Sequence, residues 1–146
     1  MSMRYSQGIY TVLHPEKYIG QIRPRYRSSW ELVVFKFCDN HPSVLQWASE
    51  SLKVGYRNPL TGKNATYTPD IFLIYIDKVG VKHAELLEIK PAAQSSLQEA
   101  KSRKDKLSVA LNMAKWSAAR TFCSTKGITF RVITEADIFA FTGKKK

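Results

Sequence analysis

The 146-residue sequence is poor in several features that define large classes of proteins. Its longest unbroken apolar run, residues 71–76, is six residues long, whereas a membrane-spanning helix needs about 20. The first residues form no apolar run of the secretory type, so we expect an intracellular protein. Cysteine is scarce as well. Cys38 and Cys123 are expected to be reduced, buried and small apolar side chains rather than a disulfide.

Several kinds of catalytic or binding motif are also missing. The chain has no glycine-rich phosphate loop and no spacing that supports a Ser-His-Asp or Cys-His arrangement. The three histidines, His14, His41 and His83, show no zinc-ligand spacing with either cysteine. These absences argue against nucleotide hydrolysis by a phosphate loop, triad chemistry and a zinc site.

Acidic residues are few as well, with 12 Asp and Glu against 23 Lys and Arg, which gives a formal charge of +11. Both halves of the chain carry part of this excess, so it is not confined to a tail. A polyanionic partner is expected. Nucleic acid is favoured over a membrane surface, because no basic amphipathic helix with an aromatic face is evident. Ribosomal-type binding, capsid DNA contact and nuclease action all remain compatible with the charge.

The remaining composition predicts one folded domain, since 44% of the residues are hydrophobic and 12% aromatic. We expect a partly loose N-terminal extension at residues 1–25, a domain at residues 26–142 and a basic tail at residues 143–146. The predicted helices cover residues 28–38, 95–123 and 135–139, and the predicted strands cover residues 44–47, 52–56, 66–76, 81–90 and 128–133. The order α-βββ-α-β predicts an α/β fold with a mixed central sheet flanked by helices. Within it, residues 66–76 and 81–90 are predicted to pair as an antiparallel hairpin.

Hydrophobic spacing predicts which face of each long helix is buried. In the first helix the apolar stripe consists of Trp30, Val33, Val34 and Phe37. In the second helix a larger set keeps one face and widens it; this set is Ala100, Leu107, Val109, Leu111, Met113, Ala114, Trp116, Ala118 and Phe122.

Four charged residues stand where a simple DNA-binding surface has no use for them. Asp70 follows Pro69 at the start of the most hydrophobic stretch, and Glu88 and Lys90 lie two apart in a predicted strand, so they share a face. On opposite arms of a hairpin, Asp70 and Glu88 are expected within a few ångströms of each other. Glu31, in the first turn of the first helix, is available to join them.

Such a group of carboxylates is a hard-oxygen site of the kind that Mg²⁺ or Mn²⁺ prefers. A divalent metal polarises a phosphate and lowers the pKa of a bound water. An adjacent lysine orients or deprotonates that water, or balances phosphate charge. Without a metal, these acids repel the polyanion that the remaining charge attracts, and this contradiction favours a metal site.

The pattern Pro69-Asp70 … Glu88-Ile89-Lys90 resembles the PD-(D/E)XK nuclease superfamily, with Glu31 similar to the acid that the first helix of such nucleases often supplies. The flanking segments, from about residue 26 to residue 139, are most similar to the TnsA-like branch and, within it, to the head-completion nucleases of contractile-tailed phages. The segments that carry this resemblance are YRSSWE (26–31), QWASE (46–50), TPD (68–70), LEIKP (87–91), NMAKWSAA (112–119) and FRVITE (130–135).

The resemblance implies a Mg²⁺-dependent DNA endonuclease that processes packaged DNA and helps to complete a phage head before tail attachment. It implies metal ligation by Asp70, Glu88, the carbonyl of Ile89 and Glu31, with Mn²⁺ as an alternative ion, and a catalytic role for Lys90. The implied partners are double-stranded DNA and portal or neck proteins, and the implied location is the host cytoplasm or the virion.

Other charged residues have several readings. Arg23, Arg25 and Arg27 lead into the positive end of the first helix and are candidates for phosphate contact. Lys101, Arg103 and Lys104 follow the predicted catalytic strand and are candidates for DNA contact, although each set is also compatible with a solvated surface. Glu50 is more often a plain surface acid, and Glu85 is predicted to face away from Glu88.

Two alternatives stay open at the level of sequence. The first is a non-catalytic structural protein of a virion head or neck that binds DNA or portal with its basic surface. The second is a restriction, repair or transposition endonuclease of the same superfamily.

Overall fold

The computed structural model describes residues 7–92 and 102–142, which form three helices and eight strands. In chain order these are β1 (Gly8–Ile9), β2 (Arg25–Tyr26), α1 (Ser29–Asn40), β3 (Val44–Ser49), β4 (Val54–Arg57), β5 (Asn64–Tyr67), β6 (Ile71–Ile76), β7 (Lys82–Ile89), α2 (Arg103–Ser124), β8 (Thr129–Ile133) and α3 (Glu135–Thr142).

The central sheet has four strands in the order β3-β6-β7-β8. β3, β6 and β7 are antiparallel neighbours, whereas β7 and β8 are parallel and are joined through α2. β1 with β2, and β4 with β5, form two further antiparallel pairs. The predicted mixed α/β fold and the predicted hairpin, now β6 and β7, are confirmed.

Strand alternation divides the apolar side chains between the two faces of this sheet. Leu73, Leu87 and Ile89 pack on one face with α1 and with Ile138 of α3. Leu86 and Phe130 belong to the other face, which Trp116 and other residues of α2 cover. The result is a three-layer arrangement, in which each wholly buried large side chain contributes roughly 1.5–3 kcal/mol of stabilisation.

Helix α1 begins where the sequence predicts it. The Ser28 hydroxyl accepts a hydrogen bond from the amide of Glu31, which satisfies one of the amides that the first turn leaves unpaired. The predicted apolar stripe is wrong by about one residue, since the buried residues of α1 are Glu31, Val34, Phe35, Cys38 and Asp39. The reason is that Glu31 and Asp39 belong to the buried face, whereas a prediction from hydrophobic spacing places only apolar residues there.

Helix α2 begins at Arg103, with the Ser102 hydroxyl accepting from the amide of Asp105. The earlier part of the predicted helix lies outside the described residues. The predicted buried face is wrong at Leu107 and Met113, whose side chains are 44% and 55% exposed, while Asn112 is buried. The fully buried residues of α2 are Val109, Asn112, Trp116, Ala119 and Cys123, and the predicted Ala118 and Phe122 are partly buried against the same core.

The continuous strand predicted at residues 66–76 is two strands in the structure, because Thr68, Pro69 and Asp70 separate β5 from β6. β5 leaves the central sheet and pairs only with β4. This break places Asp70 immediately before β6, where its side chain accepts a hydrogen bond from the Ile89 amide of β7.

Residues 7–25, expected to be partly loose, are tied to the C-terminal end of α1. The wholly buried Asp39 carboxylate accepts hydrogen bonds from the Tyr10 hydroxyl (2.5 Å) and from the amides of Leu13 (2.7 Å) and His14 (3.1 Å). Lys17 Nζ donates to the carbonyl oxygens of Asp39 and His41, at 2.9 Å each. A basic side chain is favourable at a helix C-terminus, so this contact stabilises both segments.

Among the described residues, none of the helices is long and apolar enough to cross a lipid bilayer.

Candidate active site

Asp70 and Glu88 face each other at one end of the β6–β7 hairpin. Ile71 pairs with Leu87 in the antiparallel register, so one further step along both strands sets Asp70 opposite Glu88. Side chains at opposite positions of an antiparallel pair stand about 5 Å apart at Cβ. The hairpin therefore brings together the two acids that the sequence analysis singled out.

Main-chain contacts fix the position of Asp70. Its Oδ2 accepts a hydrogen bond from the Ile89 amide at 2.7 Å, and its carbonyl oxygen accepts from the Glu50 amide at 2.9 Å. The resemblance implies that the Ile89 carbonyl is a ligand. Ile89 lies between Glu88 and Lys90, and its amide is hydrogen-bonded to Asp70. One carboxylate oxygen of Asp70 is therefore hydrogen-bonded to the backbone of β7.

Lys90 ends the strand beside Glu88. Its amide donates to the carbonyl of Ile133 at 3.0 Å, which anchors the residue to β8, and its Nζ lies 3.7 Å from Glu88 Oε2. The lysine is partly exposed, while the Glu88 side chain is only 8% exposed. The pair therefore presents a cation at the mouth of the site and a carboxylate inside it.

Glu31 reaches the same site from the first turn of α1. Its Oε1 accepts from the Arg27 amide at 3.1 Å. Burial, followed by the negative charge of Asp70, raises the pKa of Glu31 to about 7. Glu31 is therefore within electrostatic range of Asp70 and Glu88.

A fifth charged side chain, Glu50, belongs to this group. It follows β3 with a φ of 50°, a left-handed backbone that non-glycine residues rarely adopt, and its carboxylate pairs with the Arg27 guanidinium. Its charge contributes to the raised pKa values of Glu31 and Asp70. Glu50 is therefore part of the acidic group.

Mutual repulsion and burial dominate the electrostatics of these acids. Burial and then the charge of Glu88 raise the pKa of Asp70 well above its usual range. Burial also raises the pKa of Glu88, against the opposing effects of Lys90, Tyr67 and Lys115. Closely spaced acids with raised pKa values are typical of sites that hold a cation or do chemistry.

Three buried polar atoms at this site have no hydrogen-bond partner among the described residues: Glu88 Oε1, Tyr67 Oη and Trp116 Nε1. They are close neighbours, since the Tyr67 hydroxyl lies near enough to Glu88 and Trp116 for both residues to influence its pKa. A buried carboxylate oxygen without a partner is costly. Glu88 Oε1 is therefore a candidate atom for binding a ligand at this site.

The donor set fits a divalent metal of the Mg²⁺ type. Among residues 7–92 and 102–138, no three His, Cys, Asp or Glu side chains are close enough to form a complete metal-binding group by themselves. Mg²⁺ does not need one, because it usually binds through one or two carboxylates and completes its shell with water and substrate phosphate. Asp70 and Glu88 are the two carboxylates that could fill this role.

The candidate DNA contacts lie on two separate elements. Arg23 and Arg25 are exposed before α1, whereas Arg27 is paired with Glu50. Arg103 and Lys104 are exposed in the first turn of α2, where they line an open groove with Leu60 and Leu107. Lys101 lies outside the described residues. Of these candidates, Arg27 is the one that the structure brings into contact with the acidic group.

Two other acids test the sequence reasoning. Glu85 faces the opposite side of the sheet from Glu88, as predicted, and accepts hydrogen bonds from the Tyr75 hydroxyl and Arg131, both at 3.0 Å. For Glu50, only the tertiary structure shows that its amide donates a hydrogen bond to the Asp70 carbonyl.

Tyr67 and Lys115 are the site residues that the sequence analysis did not single out. Tyr67 lies three residues before Asp70, and Lys115 lies next to Trp116, whose own place in α2 was predicted as buried. Their closeness in sequence to Asp70 and Trp116 was the only sign that they belong to the site. That closeness does not predict a site residue unless the packing of β5 and α2 is known.

The fold and this geometry agree with comparisons to known proteins. Residues 41–135 match the family model described as TnsA-like endonuclease N terminal, a span that includes Asp70, Glu88 and Lys90. The chain belongs to this family of endonucleases, so the family resemblance drawn from the sequence is confirmed. The chain is also 28% identical over 140 residues to the head completion nuclease of Enterobacteria phage T4, a match that covers 91% of this chain and 93% of that relative.

The acidic group makes a prediction about stability. The pKa of Glu31 is about 7 in the folded chain, against an ordinary value of 4.5 in the unfolded chain. The wild-type fold therefore loses stability as the pH rises from about 4.5 to 7 and the buried carboxyl ionises. We expect Glu31→Gln, without divalent metal, to raise the free energy of unfolding at pH 8 by about 3 kcal/mol and to have little effect at pH 4.

Urea unfolding at the two pH values measures this difference. Gln retains an oxygen that accepts from the Arg27 amide, so the substitution removes charge without removing that hydrogen bond. The exposed Glu16, replaced by Gln, is the matched control. A Glu31→Gln variant no more stable than wild type at pH 8 would contradict the proposed origin of the shift.

Proposed function

We propose that this protein is a Mg²⁺-dependent DNA endonuclease that trims or processes packaged DNA and completes a phage head before tail attachment. The observation that carries the proposal is the convergence of Asp70, Glu88 and Lys90 at one end of the β6–β7 hairpin, with one buried Glu88 oxygen left without a partner.

Charge distribution supports DNA as the substrate. The net charge of +11 attracts a polyanion, while Glu31, Asp70 and Glu88 repel phosphate locally. A divalent cation at these acids removes the conflict. Bound there, Mg²⁺ supplies Lewis-acid polarisation of the phosphate and lowers the pKa of a coordinated water; Mn²⁺ has the same coordination chemistry.

Each side chain then has a defined task in the hydrolysis of a phosphodiester bond. Asp70 and Glu88 would hold the metal, together with the Ile89 carbonyl, and Glu31 would support that metal or a second one. Lys90, 3.7 Å from Glu88, orients the attacking water and offsets phosphate charge.

The biological setting is proposed from the relative. A head completion nuclease of similar length, aligned over nearly the whole chain, supports a role in finishing a phage head. We infer that the partners are double-stranded DNA and portal or neck proteins, and that the protein acts in the host cytoplasm or in the virion.

A plasmid-nicking assay tests the enzymatic part of this proposal. We expect the purified protein to convert supercoiled plasmid to nicked or linear DNA in Mg²⁺ and to stop when EDTA is added. Lys90→Met, which keeps the length of the side chain and removes its charge, is expected to lower the rate by about 100-fold, since one positioned charge in an active site is worth roughly 3 kcal/mol.

The control for this substitution is Lys78→Met in the exposed turn between β6 and β7, at the far end of the hairpin. Cleavage that persists in EDTA, or a Lys90→Met variant as active as the Lys78→Met control, would contradict the mechanism. An intact wild-type protein that binds DNA and leaves plasmids uncut in Mg²⁺ and Mn²⁺ would favour a structural role in the head or neck.

A further inference from the structure

A second lysine, Lys115 of α2, stands beside the candidate active site. It precedes the buried Trp116, whose Nε1 is one of the unpaired polar atoms near Glu88. The side chain is half-buried against the β4–β5 pair, and its Nζ lies 5.9 Å from the ring centre of Tyr56 and 5.6 Å from that of Tyr67. Lys115 is therefore held between β7 and the rings of Tyr56 and Tyr67.

The strand register places the two tyrosine rings side by side. Val54 pairs with Tyr67 and Tyr56 pairs with Ala65, so Tyr56 and Tyr67 are diagonal neighbours on one face of the β4–β5 pair. That pair packs against α2. Aromatic faces attract a cation and preserve its charge in a partly buried setting. The rings thus fix the position of the ammonium group without neutralising it.

Lys115 is also within electrostatic reach of the residues proposed to do the chemistry. Burial and then the positive charge of Lys90 lower its pKa, while the charge of Glu88 raises it. Among the described residues, its ammonium group makes no hydrogen bond or ion pair, whereas Lys90 is paired with Glu88. A half-buried cation with two aromatic neighbours and no anionic partner is suited to bind an anion from outside the protein.

We propose that Lys115 is a second cation of the active site, which binds a non-bridging oxygen of the phosphate that is cleaved. This inference rests on the proposed function, because it requires a DNA phosphodiester at the Glu88–Lys90 end of β7. Lys90 and Lys115 then contact the phosphate from two elements, the end of β7 and the middle of α2. Tyr56 and Tyr67 position Lys115 and have no direct contact with the reacting atoms.

Steady-state cleavage of a duplex DNA substrate in Mg²⁺ tests this role. We expect Lys115→Met to lower kcat by about 100-fold in addition to its effect on DNA binding, because a contact that strengthens in the transition state appears in kcat. Lys115→Arg is expected to keep most of kcat. The control is Lys78→Met. A kcat for Lys115→Met equal to that of the control overturns the proposal, and so does an effect confined to KM.

Thermal unfolding separates this role from a structural one. Removal of a half-buried charge that has no anionic partner leaves the melting temperature of Lys115→Met unchanged or raised, since Met keeps the alkyl contacts with Tyr56 and Tyr67. A melting temperature lowered in proportion to the loss of kcat overturns the proposal in favour of a packing role for Lys115.

A binding measurement decides the question even if the wild-type protein does not cleave DNA, in which case the proposed function fails separately. DNA affinity is measured by fluorescence anisotropy at several salt concentrations, without divalent metal, for Lys115→Met and Lys78→Met. Loss of one phosphate contact reduces the slope of log K against log salt by about 0.9. We expect this reduction for Lys115→Met relative to Lys78→Met. Equal slopes overturn the contact with phosphate.

Discussion

Asp70→Asn is expected to reduce Mg²⁺-dependent nicking by about a thousandfold or more while raising the melting temperature of the metal-free protein at pH 8. The loss follows from weaker metal binding, since transition-state charge stabilisation by a metal is worth several kcal/mol and about 4 kcal/mol corresponds to a factor of 1,000. The gain in stability follows because the pKa of Asp70 is raised by burial and by Glu88, so its ionised form destabilises the metal-free fold at pH 8.

The Asn side chain keeps an oxygen in place to accept from the Ile89 amide, so the local backbone is expected to be retained. Glu85→Gln is the matched control, because Glu85 is a buried acid of the same hairpin whose side chain lies on the opposite face of the sheet. Plasmid nicking and thermal unfolding are measured on the same preparations. An Asp70→Asn variant that nicks DNA at the wild-type rate would remove Asp70 from the mechanism.

Asp39→Ala is expected to lower the free energy of unfolding by about 3 kcal/mol. The carboxylate is wholly buried and accepts three hydrogen bonds from residues 10, 13 and 14, so its removal leaves one buried and two partly buried donors without this acceptor. The same change releases the N-terminal segment from the end of α1. Urea unfolding measures the stability loss, and limited proteolysis reports cleavage within residues 7–25.

Tyr10→Phe gives the scale for this effect, since it removes one of the three hydrogen bonds and leaves the carboxylate in place. We expect it to cost about 1 kcal/mol. If Asp39→Ala costs no more than Tyr10→Phe, the carboxylate does not anchor the segment, and the attachment depends instead on Lys17 and on the β1–β2 pair.

Much of the candidate site followed from local rules. The hairpin was evident from two β-rich runs around a turn, and its register places Asp70 opposite Glu88 because antiparallel partners are set by the turn between them. Glu88 and Lys90 were expected on one face and Glu85 on the other, because successive strand residues alternate. Helix α1 begins at its Ser28 cap for an equally local reason.

The errors share one cause, which is packing between distant segments. Leu107 and Met113 were predicted to be buried, but they are exposed, and the buried face of α2 includes Asn112 instead. The apolar spacing of the helix alone does not reveal how wide its buried face is. The run at residues 66–76 was predicted as one strand, although β5 turns away to pair with β4. Hydrophobic patterns count apolar residues and carry no information about which neighbour covers them.

The sequence by itself determined the α/β order, the hairpin, the excess of positive charge and the set Glu31, Asp70, Glu88 and Lys90, because each depends on spacing within a short segment. Tertiary structure decided that Glu50 and Arg27 join the acids, that Asp39 anchors the N-terminal segment, and that Lys115 lies between two tyrosine rings beside Glu88. These contacts join residues far apart in the chain. Their energies come from burial and electrostatics, which exist only after the layers have packed.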